Sequence, residues 1–419
     1  MRDYVKRESY LEKLILRMNN GMVKVITGPR RSGKSFLLDP IFSDHLIGEG
    51  VTRDHIISLS FDMEDDDTSP ELYDRERLKD YLYSRIQSDT EPYYLFLDEV
   101  QEIEGFERIV NGLNKRDNVD VYVTGSNSRF LSTDINTLFR GRGDEVRVHP
   151  FSFREFIEGR TEPVGELWKE YYTYGGLPAL RRLPTAGQKT SYLQRLWTMT
   201  YLDDVIERHN VENTEALEAI ADALCSSVGS LTNTTKITNI LSSVRHIKIT
   251  DDTVSKYISY LEDAFLFTSA RRYNIKGNRY YENIKKYYAI DVGLRNARLN
   301  YRQQEMSHIM ENVIFNELVM RGYSVDVGVV EHRRMVEGKS KYFQYEVDFV
   351  ATDGNEKYYI QSAFELGTEE KREQELNSLA RIGDSFKKIV IVGADIMAYK
   401  DDKGIQYMGL LQFLRDSVL

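Results

Sequence analysis

The sequence contains a single cysteine, Cys225, among its 419 residues. One cysteine cannot form an internal disulfide, and it cannot build a zinc site that needs several thiolates. The seven histidines are scattered along the chain without the paired spacing of a metal site. We therefore expect a protein of the reducing cytoplasm whose chemistry depends on oxygen and nitrogen groups.

The sequence also lacks a long apolar run. No stretch approaches the roughly 20 apolar residues that a membrane-spanning helix needs. The first twenty residues mix charges through an amphipathic pattern and do not form the apolar centre of a signal peptide. With 41% apolar and 29% charged residues, the composition is typical of a globular protein. It excludes transmembrane and channel functions, and we expect no membrane partner.

Proline is absent after Pro184, although the chain has eight prolines. The net charge is −10, which argues against a protein coated in nucleic acid. The charge is unevenly spread, because residues 231–290 contain ten Lys and Arg against five Asp and Glu. Composition therefore supports DNA as a partner only through residues 231–290.

A full phosphate-binding motif occupies residues 28–35. A β-type run at 22–27 leads into it, and the apolar residues 36–38 follow as the start of a helix. Glycines let successive backbone N–H groups face phosphate oxygens, and the helix N-terminus adds positive potential. We expect Lys34 to reach the β- and γ-phosphates and Ser35 to ligate Mg²⁺. The predicted ATP-binding residues are Gly28, Pro29, Arg30, Arg31, Ser32, Gly33, Lys34, Ser35 and Phe36.

A second apolar strand, at 93–97, ends in two carboxylates, Asp98 and Glu99. A phosphate-binding loop requires such an acidic element to hold its metal. We expect Asp98 to hold Mg²⁺ through its water shell and Glu99 to polarise the attacking water as a general base. The pair predicts hydrolysis of ATP and not binding alone.

The strand at 119–124 runs into small polar residues, among them Thr124 and Ser126. Strands that alternate with helices predict a parallel sheet with ligands at the strand C-termini. On these residues alone, a role in sensing the γ-phosphate and simple turn formation are equally favoured. Arg142, in a later loop, is equally suited to the surface and to stabilising transition-state charge in the site of a neighbouring subunit.

Several strings resemble markers of the prokaryotic AAA-type P-loop ATPases that carry a DUF4143-like C-terminal domain. They lie at 25–35, 97–101, 124–126, 141–142, 149–156 and 174–178, and the resemblance covers nearly the whole chain. It implies that Ser126 is the sensor and that Arg142 is supplied in trans by self-association. A second sensor arginine after Pro178 is not evident, which departs from the pattern.

The remaining pattern predicts an α/β protein. We expect a P-loop NTPase parallel sheet at 1–150, a helical lid at 151–213, a winged-helix-like domain at 214–300 and a small restriction-endonuclease-like α/β domain at 301–419. In the winged-helix region, three helical segments precede a strand pair at 266–273 and 279–290. Its Lys and Arg residues lie among tyrosines, as in a DNA-contacting wing. A spacer or protein-binding module would have the same outline.

The last region resembles a nuclease that has lost part of its site. A helix with Glu311, a strand with Asp348 and a strand with Gln361 follow the order of the restriction-endonuclease-like fold, where carboxylates bind Mg²⁺ and a lysine helps to activate water. Gln361 and Ala363 stand where the third carboxylate and the lysine belong, and a neutral amide is a poor Mg²⁺ ligand. We expect a remnant without nuclease activity, unless a lysine from elsewhere, such as Lys357, takes the missing role.

The leading hypothesis is an ATP-binding, Mg²⁺-dependent ATPase that couples its nucleotide state to C-terminal DNA- or protein-binding domains. Two alternatives stay open at this point. One is an ATP-regulated DNA-binding protein with little turnover, and the other is an ATP-coupled nuclease.

Overall fold

The computed structural model describes residues 4–62, 68–126, 137–336, 339–354, 356–365 and 376–416. The chain divides into two compact units. The first runs to Pro150 and also includes Asp263–Phe265, and the second comprises Phe151–Glu262 and the chain from Leu266 onward.

A parallel sheet forms the centre of the first unit. Its strands are β1 (Val23–Thr27), β2 (Ile56–Ser60), β3 (Tyr93–Asp98), β4 (Val119–Gly125) and β5 (Gly143–Arg147), in the order β2-β3-β4-β1-β5. All neighbouring pairs run parallel. The sheet confirms the expected P-loop NTPase fold. Strand β5 was not expected, because its sequence GDEVR has no apolar run and its side chains are mostly half-buried.

Helices cover both faces of this sheet. They are α1 (Glu8–Ile15), α2 (Lys34–Phe36), which continues through Leu37–Phe42 into α3 (Ser43–Gly48), α4 (Arg75–Arg85) and α5 (Phe106–Leu113). Alternate residues of a strand point to opposite faces. Leu95 therefore packs in one core cluster with Leu82 of α4, while Phe96 packs in the other with Leu14 of α1.

The second unit begins with helices and ends with a mixed sheet. Its helices are α6 (Phe153–Ile157), α7 (Val164–Tyr174), α8 (Ala186–Arg195), α9 (Asp203–His209), α10 (Thr214–Ser226), α11 (Thr234–Val244), α12 (Asp251–Asp263), α13 (Val292–Arg298), α14 (Met306–Met320) and α15 (Leu410–Arg415). Among the described residues, no helix has both the length and the apolar character to cross a membrane.

Eight strands form the sheet of the second unit. They are β6 (Phe267–Asn274), β7 (Arg279–Ala289), β8 (Ser324–Val336), β9 (Lys339–Asp353), β10 (Glu356–Ala363), β11 (Lys387–Val392), β12 (Tyr399–Lys400) and β13 (Gln406–Gly409). Their order is β12-β13-β11-β10-β9-β8-β6-β7. The sheet is mixed, because β6 runs antiparallel to β7 and parallel to β8.

The sheet corrects the expected boundary at residue 300. The β6–β7 hairpin was expected to be the wing of a separate domain, but β6 pairs with β8 of the C-terminal region, with Tyr273 opposite Gly328. One sheet therefore crosses the boundary. The sequence concealed this link because pairing between distant parallel strands leaves no local signal in either strand.

The glycines at 175 and 176 have a packing role in the second unit. Gly175 has φ +81°, and a Cβ atom there would lie 2.0 Å from Oδ1 of Asp291. The Asp291 carboxylate accepts hydrogen bonds from the N–H groups of Gly176, at 2.7 Å, and Leu294, at 3.0 Å, and so caps helix α13. Burial raises the pKa of Asp291 to about 6. The motif is therefore more than a helix-ending turn, because it encloses a buried carboxylate.

Candidate active site

The phosphate-binding loop follows β1 directly and is closely packed. Gly28 has φ +140°, and a Cβ atom there would lie 2.0 Å from the carbonyl oxygen of Val148. Only glycine fits this approach. Arg7 fixes the loop from another direction, because its guanidinium donates to the carbonyl oxygens of Ser32 and His149, at 2.8 Å each. Sequence analysis missed Arg7, since nothing distinguishes it from the other charges near α1.

Lys34 points into the loop as its predicted role requires. Its Nζ donates to the carbonyl oxygens of Gly28 and Pro29, at 3.2 Å each, and lies 3.8 Å from Oε1 of Glu99. The side chain is buried. Burial lowers the pKa of Lys34, while the carboxylates of Glu99 and Asp98 act in the opposite direction. The ammonium group is thus placed between the loop carbonyls and the acidic pair.

The two predicted Mg²⁺ ligands lie together. Ser35 Oγ donates a 2.7 Å hydrogen bond to Oδ2 of Asp98, and Thr124 Oγ1 donates to its Oδ1. Burial and the neighbouring Glu99 raise the pKa of Asp98, against the effect of these hydrogen bonds. Ser35 and Asp98 therefore lie at one point, where the C-terminal ends of β1 and β3 meet.

Glu99 is held in a fixed orientation. Its backbone has φ +50°, a conformation uncommon outside glycine. The carboxylate accepts hydrogen bonds from Ser126 Oγ, at 3.0 Å, and from Gln101 Nε2. Burial alone would raise the pKa of Glu99, but the Lys34 ammonium and these donors hold it below the ordinary value. An ionised, oriented carboxylate is what a general base needs. Gln101 is a further residue that sequence analysis missed.

A buried hydroxyl tests whether this loop fits a phosphate. Ser32 is fully buried, and its Oγ has no hydrogen-bond partner within the described ranges. Buried polar groups are almost always hydrogen-bonded, so such an orphan calls for an acceptor. A phosphate oxygen would supply one, while Ser35 and Asp98 offer the oxygen ligands that Mg²⁺ prefers. The residues present therefore fit ATP and Mg²⁺.

Arg142 lies away from this group of residues. Its carbonyl oxygen accepts a 2.7 Å hydrogen bond from the N–H of Val23, at the start of β1. The phosphate-binding loop begins at the other end of that strand, and five strand residues span roughly 16 Å. Its side chain is exposed. Within one chain, Arg142 therefore lies at the N-terminal end of β1, whereas Lys34 lies beyond its C-terminal end.

The chain is similar to known proteins over the residues of this site. A family model described as an AAA domain matches residues 20–157. The chain is 34% identical over 394 residues to an uncharacterized protein of Haemophilus influenzae, and the match covers 93% of each chain. The chain belongs to the family of that protein and carries an AAA domain.

Further likenesses are more distant. An uncharacterized protein of Methanocaldococcus jannaschii is 28% identical to this AAA-domain protein over 394 residues, which is 91% of this chain and 82% of that one. A solved structure of the Aeropyrum pernix ORC1 protein in complex with DNA is 15% identical, with a TM-score of 0.30, covering 70% of this chain and 92% of that chain. At that score the likeness adds nothing to the fold described above.

The name expected for the C-terminal domain is not supported. The second matching family model is a domain of unknown function, DUF8612, and it covers residues 165–305. A DUF4143-like domain was expected at 301–419. The match instead spans most of the helices of the second unit together with the hairpin β6–β7.

In the second unit, the structure brings together the three nuclease-like residues, Glu311, Asp348 and Gln361. Glu311 and Asp348 both contact the ammonium group of Lys286, and Glu346 joins them. Gln361 contributes differently, because its Oε1 accepts a 3.4 Å hydrogen bond from the N–H of Asp348. Burial and the Glu311 carboxylate raise the pKa of Asp348, against the effect of Lys286. Sequence analysis missed Glu346 as a member of this group.

The position of Lys286 differs from the expected one. As a basic residue of the hairpin it was expected to face DNA, but its side chain is buried and contacts β9 and α14. Arg272 is buried as well, whereas Arg271, Lys276 and Arg279 are exposed. Lys357, the lysine suggested as a replacement, lies elsewhere, with Nζ 5.0 Å from the centre of the Phe386 ring.

Proposed function

We propose that this AAA-domain protein binds ATP with Mg²⁺ and hydrolyses it. The observation that carries the proposal is the meeting of Lys34 and Ser35 with Asp98 and Glu99 at the C-terminal ends of β1 and β3. Backbone N–H groups of the loop would bind the phosphates, and Lys34 would neutralise charge on the transferred group. Ser35 and Asp98 would hold Mg²⁺, which polarises the phosphate oxygens when bound.

Glu99 would act as the general base. The Lys34 ammonium keeps it ionised, and Ser126 and Gln101 fix the direction of its carboxylate. In this arrangement Glu99 takes the proton of the attacking water, while Ser126 links the base to the end of β4.

The test is release of phosphate from Mg²⁺ and ATP by the full chain and by Lys34→Ala. We expect at least a ~100-fold loss of turnover in the variant, because it removes a cation from the developing charge. Lys79→Ala, which changes an exposed lysine of α4, is the matched control and should keep full activity. Equal turnover in Lys34→Ala and the unchanged protein would refute the proposal.

We propose further that Arg142 completes the site of a neighbouring subunit. Its exposed position at the sheet edge opposite Lys34 supports action in trans over action within the chain. Self-association would then be required for full turnover.

The presence of a single cysteine, buried Cys225, supports a cytoplasmic location.

A second candidate function is DNA binding through residues 231–290, with ATP regulating it. The exposed Arg271, Lys276 and Arg279 of the β6–β7 hairpin favour it. Replacing both Arg271 and Arg279 by Ala should weaken binding to duplex DNA. It should also reduce the slope of log affinity against log salt concentration by the contribution of about two phosphate contacts. Unchanged affinity in that variant would remove the hairpin from the contact. Stimulation of ATP turnover by DNA would join both functions.

A further inference from the structure

The residues Lys286, Glu311, Glu346 and Asp348 form what we call the carboxylate cluster. It stands where the resemblance to the restriction-endonuclease-like fold places Mg²⁺. Two of its members, Glu311 of α14 and Asp348 of β9, are the acidic groups expected of such a site, and Glu346, also of β9, joins them. The fourth, Lys286, comes from β7, on the other side of the boundary that the sequence suggested.

The Lys286 ammonium occupies the centre of the carboxylate cluster. Its Nζ lies 2.9 Å from Oε1 of Glu311, 2.8 Å from Oε1 of Glu346 and 3.5 Å from Oδ1 of Asp348. The contact with Glu311 is a hydrogen bond, and those with Glu346 and Asp348 are ion pairs. Lys286 is 3% exposed, which shields these contacts from water.

Two oxygens of the cluster also accept hydrogen bonds from neighbouring groups. Oε1 of Glu311 also accepts a 2.8 Å hydrogen bond from the hydroxyl of Tyr288, and Oδ2 of Asp348 accepts one of 2.9 Å from the N–H of Ser362. Gly229 closes the other side, since a Cβ atom there would lie 3.1 Å from both oxygens of the Glu311 carboxylate. The Glu311 carboxylate is therefore enclosed by Lys286, Tyr288 and Gly229.

These contacts do not fit a divalent cation. Mg²⁺ demands near-octahedral oxygen ligands at about 2.0–2.1 Å, and a positive ammonium at the same point would repel it. Within the part of the chain that the structure describes, no group of three or more His, Cys, Asp and Glu residues is arranged to hold a metal. The Lys286 ammonium thus occupies the point between the carboxylates at which they would hold the metal.

We propose that Lys286 takes the place of the divalent cation, so that the carboxylate cluster is a metal-independent ionic centre. It ties β7, within the region matched by DUF8612, to β9 and α14 of the C-terminal region. On this proposal Lys286 is a counter-ion and not the missing catalytic lysine, and the cluster offers the ATP-coupled nuclease no metal site. Loss of the lysine alone would leave carboxylates buried without a counter-ion, and a divalent cation would then be their natural replacement.

The test measures thermal unfolding of the full chain with and without millimolar Mn²⁺ and without nucleotide. An Asp98→Asn background removes the metal ligand of the first unit. We expect Mn²⁺ to leave this parent unchanged, and Lys286→Ala to lower its Tm by ~5 °C or more. Mn²⁺ should restore much of that loss, and adding Asp348→Asn should abolish the restoration. Lys285→Ala, its neighbour on β7, is the control and should behave as the parent.

Two results would overturn the proposal. One is a rise in the Tm of the parent with Mn²⁺ that Asp348→Asn abolishes. The other is a Lys286→Ala variant that has the Tm of the parent and shows no change in Tm with Mn²⁺. If Lys286→Ala does not fold, spectroscopic counting of bound Mn²⁺ on the parent decides. Equal counts with and without Asp348→Asn support the proposal, and a lower count in Asp348→Asn contradicts it.

Discussion

At the residue scale, the proposed site consists of pairs of side chains in which one partner affects the protonation state or the orientation of the other. Lys34 keeps Glu99 ionised, Ser35 and Thr124 hold Asp98, and Ser126 aligns Glu99. Contiguous motifs predicted the members of these pairs because the chemistry fixes their spacing along the chain.

Other residues of the site could not be found from the sequence. Arg7 reaches Ser32 from 25 positions away, and Lys286 reaches Glu346 across two intervening strands of the sheet. Such contacts depend on the packing of distant elements, and a basic residue near a helix or on a hairpin has the same local pattern whether it is buried or exposed. The buried positions of Arg7 and Lys286 therefore became evident only in the fold.

We predict that Ser126→Ala slows ATP turnover by roughly 10- to 100-fold, because a carboxylate that loses its orienting donor leaves the attack geometry. ATP binding should stay within about threefold of the unchanged protein, since Ser126 holds the base and not the phosphates. Turnover and nucleotide affinity are measured side by side. Ser126→Thr keeps the hydroxyl and should recover activity, and a failure of that rescue would assign Ser126 a packing role instead.

At the element scale, the strands that could be predicted from the sequence were those with a continuous apolar run. Strands β1, β3 and β4 are buried on both faces and appear as continuous apolar runs. Strand β5 is only partly buried, and β8 mixes charged residues with valines, so neither was predicted. Strand β8, which links β9 to β6 in the sheet of the second unit, thus has a weak local pattern.

We predict that Gly175→Ala destabilises the second unit by at least ~2 kcal/mol, because the added Cβ meets the Asp291 carboxylate in a left-handed backbone conformation. Denaturant unfolding followed by far-UV circular dichroism measures it. Gly187→Ala, in the exposed face of α8 with open space around it, is the control. It should be neutral or stabilising by up to ~1 kcal/mol, since alanine favours helix. Equal stability of the two variants would contradict the packing assigned to Gly175.

At the scale of the whole molecule, the chain is an AAA-domain protein whose second unit carries a mixed sheet. The active groups of the first unit lie at the C-terminal edge of its sheet, and Arg142 lies at the opposite edge. If Arg142 completes the site of a neighbouring copy, as proposed, turnover should depend on assembly.

We predict that Arg142→Ala and Lys34→Ala are each nearly inactive alone and regain activity when mixed. In the mixture, Lys34→Ala subunits lend Arg142 to the intact phosphate-binding loops of Arg142→Ala subunits. The measurement is phosphate release at constant total protein while the ratio is varied, with a maximum expected near equal amounts. A mixture no more active than its components, while both variants still self-associate, would place Arg142 outside the catalytic site.

The most direct measurement of the central claim separates binding from hydrolysis in one variant. Glu99→Gln keeps the shape of the side chain and removes the charge that accepts the proton of water. We predict that it binds Mg²⁺ and ATP with affinity close to that of the unchanged protein, while phosphate release falls by about 10²–10⁴-fold. A Glu99→Gln protein that hydrolyses ATP at the original rate would show that the arrangement of Lys34, Ser35, Asp98 and Glu99 is not the hydrolytic site.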